Sequence, residues 1–179
     1  LTDGSSNSYL EIFSIDNDAI SFLGCITNDG DIVSEYSAFG TIGSIAFSPD
    51  GKYFTVGSKS TVHIYRFNDG ELTIARRISI GNNTTISALA LSPNNELVIG
   101  WTVPDNSACF LTAYLLRTME RIYLRSISGR ILYHIKFNYY GNILLVAGNF
   151  GAEYFFIKDN NFKYLGVIFD EIGNTLKPV

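Results

Sequence analysis

Apolar residues in this chain occur in short runs, and polar turn residues separate one run from the next. The pattern is clearest in three segments, 42–57, 86–100 and 131–148. Each segment contains an apolar run, a short polar turn and a second apolar run that ends in glycine. Short runs rich in branched and aromatic residues between Pro, Gly, Asn and Asp are typical of β-strands. The pattern therefore predicts an all-β chain.

The turns inside these segments have a chemistry that reverses the chain. Pro49 and Pro93 preset the backbone angle of the first central turn position, and Gly51 and Asn95 tolerate the left-handed conformation. Gly141 takes the same place in the third segment, which has no proline. Each segment is therefore predicted to be an antiparallel hairpin.

The three hairpins recur at a regular distance. Phe47, Leu91 and Phe137, which end the first strand of each segment, are 44 and 46 residues apart. Blades of β-propeller proteins repeat at about 40–45 residues. The spacing predicts antiparallel four-stranded blades of a β-propeller. A β-sandwich is the alternative, which explains the strands but not their spacing.

A second hairpin is predicted to complete each repeat. The first unit of the chain has this second hairpin but lacks an opening one. The chain is read as one propeller segment with a partial blade and joint at 1–40 and blades at 41–81, 82–127 and 128–179. Residues 27–40 are predicted to hold either an extra hairpin or an extended outer strand.

Three arginines leave the secondary structure of one segment open. Arg117, Arg121 and Arg125 follow an i, i+4, i+8 spacing, which also occurs on one face of a helix. The β-type residues Ile122–Leu124 and the repeat favour strands there.

Composition and charge narrow the classes of partner. The net charge is −4, and the 13 basic residues are scattered, whereas a nucleic-acid binder usually has a basic patch. No apolar run approaches the roughly 18 residues of a membrane span. We therefore expect no nucleic-acid partner and no membrane span. Cys25 and Cys109 are read as small buried residues, with a single bridge as the alternative.

Candidate chemistry is sparse. His63 lies within an apolar run, and His134 lies in the first strand of the last blade, where propellers often bind ligands in a central channel. Both are more simply explained as structural histidines. We predict no catalytic residue, cofactor or metal site, and nothing in the sequence identifies a small-molecule ligand. Tyr139, Tyr140, Trp101 and His134 are the candidate interaction residues. Exposed loop aromatics are frequent interface residues, but the sequence leaves open whether Tyr139 and Tyr140 fold back over the blade edge and whether Trp101 lies in the core or at the rim.

The segment Phe47-Ser-Pro-Asp-Gly-Lys-Tyr53, followed by Val62-His-Ile-Tyr-Arg-Phe67 and Asp69-Gly-Glu-Leu72, resembles the WD40-like and lactonase-like β-propeller superfamily. The resemblance implies a closed ring of about 4–8 blades. We therefore expect the chain to be part of a longer propeller or to close with a second chain.

Three functions fit this reading. The first is a non-catalytic scaffold that mediates protein–protein interaction, in which loops on rigid blades bind the partner. The second, implied by the resemblance, is a lactonase-like hydrolase whose catalytic residues are not visible in this chain. The third is a structural component of a large assembly. The absence of a recognisable catalytic motif favours the first.

Overall fold

The structure is a computed structural model that describes residues 10–16, 19–26, 32–33, 42–68, 71–103, 108–128 and 131–169. Within these ranges the chain forms β-strands joined by turns and contains no helix. The prediction of an all-β chain is confirmed. No helix in the described ranges is long and apolar enough to cross a membrane.

The strands form four antiparallel sheets. The first sheet contains β1 (Leu10–Asp16), β2 (Ala19–Ile26) and β3 (Ile32–Val33). The second contains β4 (Ile42–Phe47), β5 (Tyr53–Ser58), β6 (Thr61–Asn68) and β7 (Glu71–Ser79). The third contains β8 (Thr85–Leu91), β9 (Glu96–Thr102), β10 (Ala108–Leu115) and β11 (Arg121–Ser128). The fourth contains β12 (Leu132–Phe137), β13 (Ile143–Gly148), β14 (Gly151–Lys158) and β15 (Asn161–Phe169).

Each four-stranded sheet is a simple meander, in which strands that follow one another in sequence are neighbours. Among the first strands of the three complete sheets, β8 contacts both β4 and β12. These innermost strands therefore hold the sheets side by side, and β7, β11 and β15 lie outermost. This arrangement agrees with the predicted blades. The division of the chain at residues 40, 81 and 127 stays a prediction.

The first sheet differs from the others. β3 is a two-residue strand that pairs with β2, so the joint between the first two sheets supplies a short outer strand. The rest of 27–40 lies outside the described residues. Among the described strands, none pairs with the other edge of β1. Within the described residues, the predicted partial blade therefore has its outer strands and no inner hairpin.

Three apolar clusters lie between successive sheets. Ile26 packs with Phe54 and Tyr65 between the first and second sheets. Ile64 and Leu97 belong to the cluster between the second and third sheets. The largest cluster joins the third and fourth sheets. Burial on both faces explains why the inner strands of the complete sheets are apolar throughout rather than alternating.

Glycines let neighbouring sheets approach closely. A Cβ atom on Gly57 of β5 would lie 2.5 Å from Ile86 Cγ2, and one on Gly100 of β9 would lie 2.6 Å from Leu132 Cδ2. Ile86 and Leu132 are at the start of the innermost strand of the following sheet. Gly57 and Gly100, near the ends of their second strands, therefore make room for the next sheet.

The segment with the three arginines is a β-hairpin, so its helical reading is wrong. Arg117 lies in the turn, whereas Arg121 and Arg125 lie on β11. Arg125 forms a salt bridge with Glu153 of β14, with Nη1 and Oε2 3.0 Å apart. Its guanidinium also lies 4.3 Å from the centroid of the Tyr164 ring. One arginine thereby joins the outer strands of the third and fourth sheets.

Candidate interaction surface

The turns between the first and second strands of the complete sheets share one hydrogen-bond arrangement. In the second sheet the N–H of Tyr53 donates to Ser48 Oγ at 2.8 Å, and the N–H of Gly51 donates to the Ser48 carbonyl at 2.9 Å. The Ser48 hydroxyl donates to Asp50 Oδ1 at 2.7 Å. This bond and the N–H of Lys52 lower the pKa of Asp50 below its ordinary value. The side chains therefore fix the backbone of the turn.

The other two turns repeat this arrangement with different residues. Ser92 Oγ accepts from the N–H of Glu96 at 3.0 Å. In the fourth sheet Asn138 Oδ1 accepts from the N–H of Ile143 at 3.0 Å. The fourth turn residue has a positive φ in all three, 71° at Gly51, 64° at Asn95 and 71° at Gly141. The three turns are thus equivalent parts of equivalent sheets.

Tyr139 and Tyr140 occupy the two central positions of the third turn. They stand where the other two turns carry Pro-Asp and Pro-Asn. Tyr139 is 86% exposed and Tyr140 is 74% exposed, and their rings meet edge-to-face with centroids 5.3 Å apart. Neither ring folds back over the sheet. The turn presents both aromatic side chains to solvent on a fixed backbone.

A groove of about 370 Å³ lies beside these turns, between the innermost strands; we call it the central groove. Its lining is mostly apolar and includes Phe47, Leu91, Ile135, Lys136 and Tyr139. A Cβ atom on Gly141 would lie 2.9 Å from Pro93 Cδ, so the third and fourth sheets place their turns side by side. The turns and the central groove therefore form one continuous surface.

The other candidate residues do not join this surface. His134 lies on β12 opposite Ala147 and is exposed, but it does not line the central groove. Trp101 lies near the end of β9 that is remote from the turn. Its Nε1 donates to Thr112 Oγ1 at 2.9 Å, and its ring stacks on Phe110 with centroids 4.2 Å apart. The structure thus brings Tyr139 and Tyr140 together and leaves Trp101 packed within its own sheet.

A second groove was not predicted from the sequence. It has a volume of about 450 Å³ and lies between β1 and the second sheet; we call it the edge groove. Phe13, Phe47 and Phe67 line it, and each of these side chains is more than 40% exposed. Phe54 also lines it, with its ring stacked on Phe47 and on Tyr65. Exposed phenylalanines around one concave site are unusual on a protein surface.

The titratable residues do not assemble into a site of a recognised kind. Within the described ranges no three His, Cys, Asp or Glu side chains lie close enough together to hold a metal ion. His63 is buried on β6. Cys109 is buried as well, while the side chain of Cys25 is not among those that the structure describes.

Comparison with protein families gives one match. Residues 30–66 match the family model of the WD domain, G-beta repeat (WD40). The matched range includes β3, β4 and β5 and most of β6, so it runs from the first sheet into the second. This match and the four-stranded antiparallel sheets fit a partial WD40-like β-propeller. No curated protein sequence matches the chain significantly.

Proposed function

We propose that this chain is a non-catalytic β-propeller scaffold that mediates protein–protein interaction as part of a larger propeller or assembly. The WD40 repeat suggests a propeller scaffold of the kind typically used for protein interaction. Rigid sheets that carry short turns are suited to this role, because binding residues are often on loops that a scaffold positions.

The observation that carries the proposal is the exposure of Tyr139 and Tyr140 in a turn with a fixed backbone. Buried aromatic side chains dominate the binding energy of many interfaces, and tyrosine is enriched among these residues. A tyrosine has only two side-chain torsions, so its immobilisation in a complex loses little entropy. The central groove beside Tyr139 offers the apolar surface on which a partner side chain can be buried.

Replacing both tyrosines by alanine is expected to weaken partner binding by at least about tenfold, since each interface aromatic contributes about 1 kcal/mol or more. Stability should change by less than about 0.5 kcal/mol, because the side chains are exposed. The measurement is retention of native partners on the immobilised full chain, together with urea unfolding. The matched control is Tyr139→Phe with Tyr140→Phe, which keeps both rings. Full retention by the alanine variant would contradict the role of this turn.

The face of the fourth sheet that points away from the third sheet supports the proposal that the chain is part of a larger propeller or assembly. Leu144 and Val146 of β13 point into the cluster with the third sheet. Leu145 points the other way and is 37% exposed, and Tyr133 on β12 is 51% exposed. In the other complete sheets the corresponding face is covered by the next sheet. The fourth sheet therefore offers an apolar face of the kind that a further blade or a partner covers.

Light scattering on the native protein is expected to give a mass above the 19.8 kDa of one chain. Leu145→Asp should shift this mass towards the single-chain value, because an ionised carboxylate is costly to bury in an apolar contact. Lys158→Asp, at the exposed end of β14, is the control and should leave the mass unchanged. A wild-type protein that is stably monomeric at 19.8 kDa would argue against a larger assembly.

A further inference from the structure

The edge groove lies beside β1, the edge of the first sheet with which no described strand pairs. β1 corresponds to the third strand of a complete sheet, because both are followed by a tight hairpin and interrupted by the same irregularity. The register shifts between Ile12 and Phe13 in β1, as it does between Ile64 and Tyr65 in β6. The same shift precedes Phe155 in β14. Phe13, Tyr65 and Phe155 are therefore equivalent residues.

These equivalent aromatic residues differ sharply in exposure. Tyr65 and Phe155 are 0% exposed, whereas Phe13 is 48% exposed. In the complete sheets a second-strand residue lies directly opposite. Phe54 pairs with Tyr65, and Leu144 pairs with Phe155. Phe13 lacks such a neighbour among the described residues, because no described strand pairs with that edge of β1.

Phe47, on the other wall of the edge groove, is also more exposed than its equivalent in a complete sheet. Its equivalent in the third sheet, Leu91, is 5% exposed and lies in the cluster with the preceding sheet. Phe47 is 70% exposed. The sheet that precedes Phe47 is the first one, which has no described inner strands to cover it. Both walls of the edge groove thus expose residues that are buried when an inner hairpin is present.

We propose that the edge groove and the open edge of β1 bind a β-hairpin from a partner polypeptide. Its inner strand lies beside β4, and its second strand pairs antiparallel with β1. A large apolar residue of that second strand lies opposite Phe13, as Phe54 lies opposite Tyr65. Main-chain hydrogen bonds from strand addition supply affinity, and the apolar groove selects the side chains. This inference rests on the proposed role in a larger assembly and names the site and the chemistry of its occupant.

The chain's own hairpin is a suitable probe. A second copy of residues 42–58, β4 and β5 with their turn, is joined ahead of the full chain through a flexible Gly/Ser linker. Tethering raises the effective concentration of the hairpin to about millimolar, so even a weak contact is detected. We expect amide hydrogen exchange in β1 to be at least about tenfold slower in the fused chain than in the unfused chain, because the new strand protects the edge.

Two variants distinguish specific docking from a general effect of the added segment. Phe54→Asp in the added copy alone, and Phe13→Asp in the host chain, should each abolish the protection of β1. Leu124→Asp, a change of an exposed apolar residue on β11 away from the groove, should leave it intact. Equal β1 exchange in fused and unfused chains would overturn the proposal, as would equal protection by the Phe54→Asp copy. Either result leaves the turn tyrosines and their partner binding as a separate question.

Discussion

Replacing Arg125 with alanine is expected to lower the free energy of unfolding by about 3–5 kcal/mol, because it removes the cation that lies 3.0 Å from a buried carboxylate. The side chain of Glu153 is only 7% exposed, and that of Arg125 is 29% exposed. The substitution also removes the guanidinium from the rings of Phe155 and Tyr164. The loss should appear in urea unfolding as a lower midpoint with an unchanged slope.

Two controls test the assignment to a buried ion pair. Arg121→Ala changes an exposed arginine on the same strand and should cost less than about 0.5 kcal/mol. Arg125→Met combined with Glu153→Leu removes both charges and should recover most of the stability, because apolar residues often replace a buried ion pair without loss. If Arg125→Ala cost no more than Arg121→Ala, the salt bridge would have no part in holding the third and fourth sheets together.

Gly43→Ala is expected to lower the free energy of unfolding by about 3 kcal/mol, because it overpacks the contact between the second and third sheets. This value is at the upper end of the range for overpacked cores. A Cβ atom at this position would overlap the carbonyl oxygen of Ile86 on β8 and lie 3.0 Å from its carbonyl carbon. Backbone cannot rotate away as a flexible side chain can, so the two innermost strands must separate. The separation would strain the bonds from Leu89 N to Ser44 Oγ and from Ile86 N to the Lys59 carbonyl.

Ser87→Ala is the matched control for this change. Ser87 and Gly43 occupy the same position, where the register shifts near the start of the innermost strand. Ser87→Ala removes only one hydrogen bond, which the Ser87 hydroxyl donates to the Gly100 carbonyl and which is worth about 1 kcal/mol. Urea unfolding should give a clearly lower free energy of unfolding for Gly43→Ala than for Ser87→Ala. Equal losses would show that the sheets are not packed as closely at Gly43 as the structure has them.

The sequence was most informative where local chemistry decides the conformation. Asn95 and Gly141 take the left-handed conformation that their turn positions predict. The exposure of Tyr139 follows from the same turn, because a central turn residue points away from both strands, although the sequence left open whether this ring folds back over the blade edge. The hairpin spanning Arg121 was predicted from β-type residues against a competing helical spacing, and that choice is confirmed.

The sequence could not reveal what depends on a neighbouring sheet. Phe47 and Leu91 end equivalent strands and look alike in the repeat, yet one is exposed and the other is buried. The difference arises from the sheet that precedes each, which no local pattern encodes. The partnership of Arg125 with Glu153 is hidden for the same reason, since 28 residues separate them in sequence. Trp101 was left open between core and rim, and its stacking on Phe110 depends on strand register.

The shared turn arrangement has a consequence for how this protein can change over time. Ser48, Ser92 and Asn138 hold the turn backbone from its first position, and a residue with positive φ closes it from the fourth. In the second sheet Pro49 and Asp50, which lie between these positions, add to that hold, because Asp50 accepts from the Ser48 hydroxyl and from the N–H of Lys52. In the fourth sheet the same two positions are Tyr139 and Tyr140, whose rings are exposed. Recognition at 139–140 is therefore mutationally separable from folding, and new pairs of residues can be tried there while the sheet beneath retains its stability.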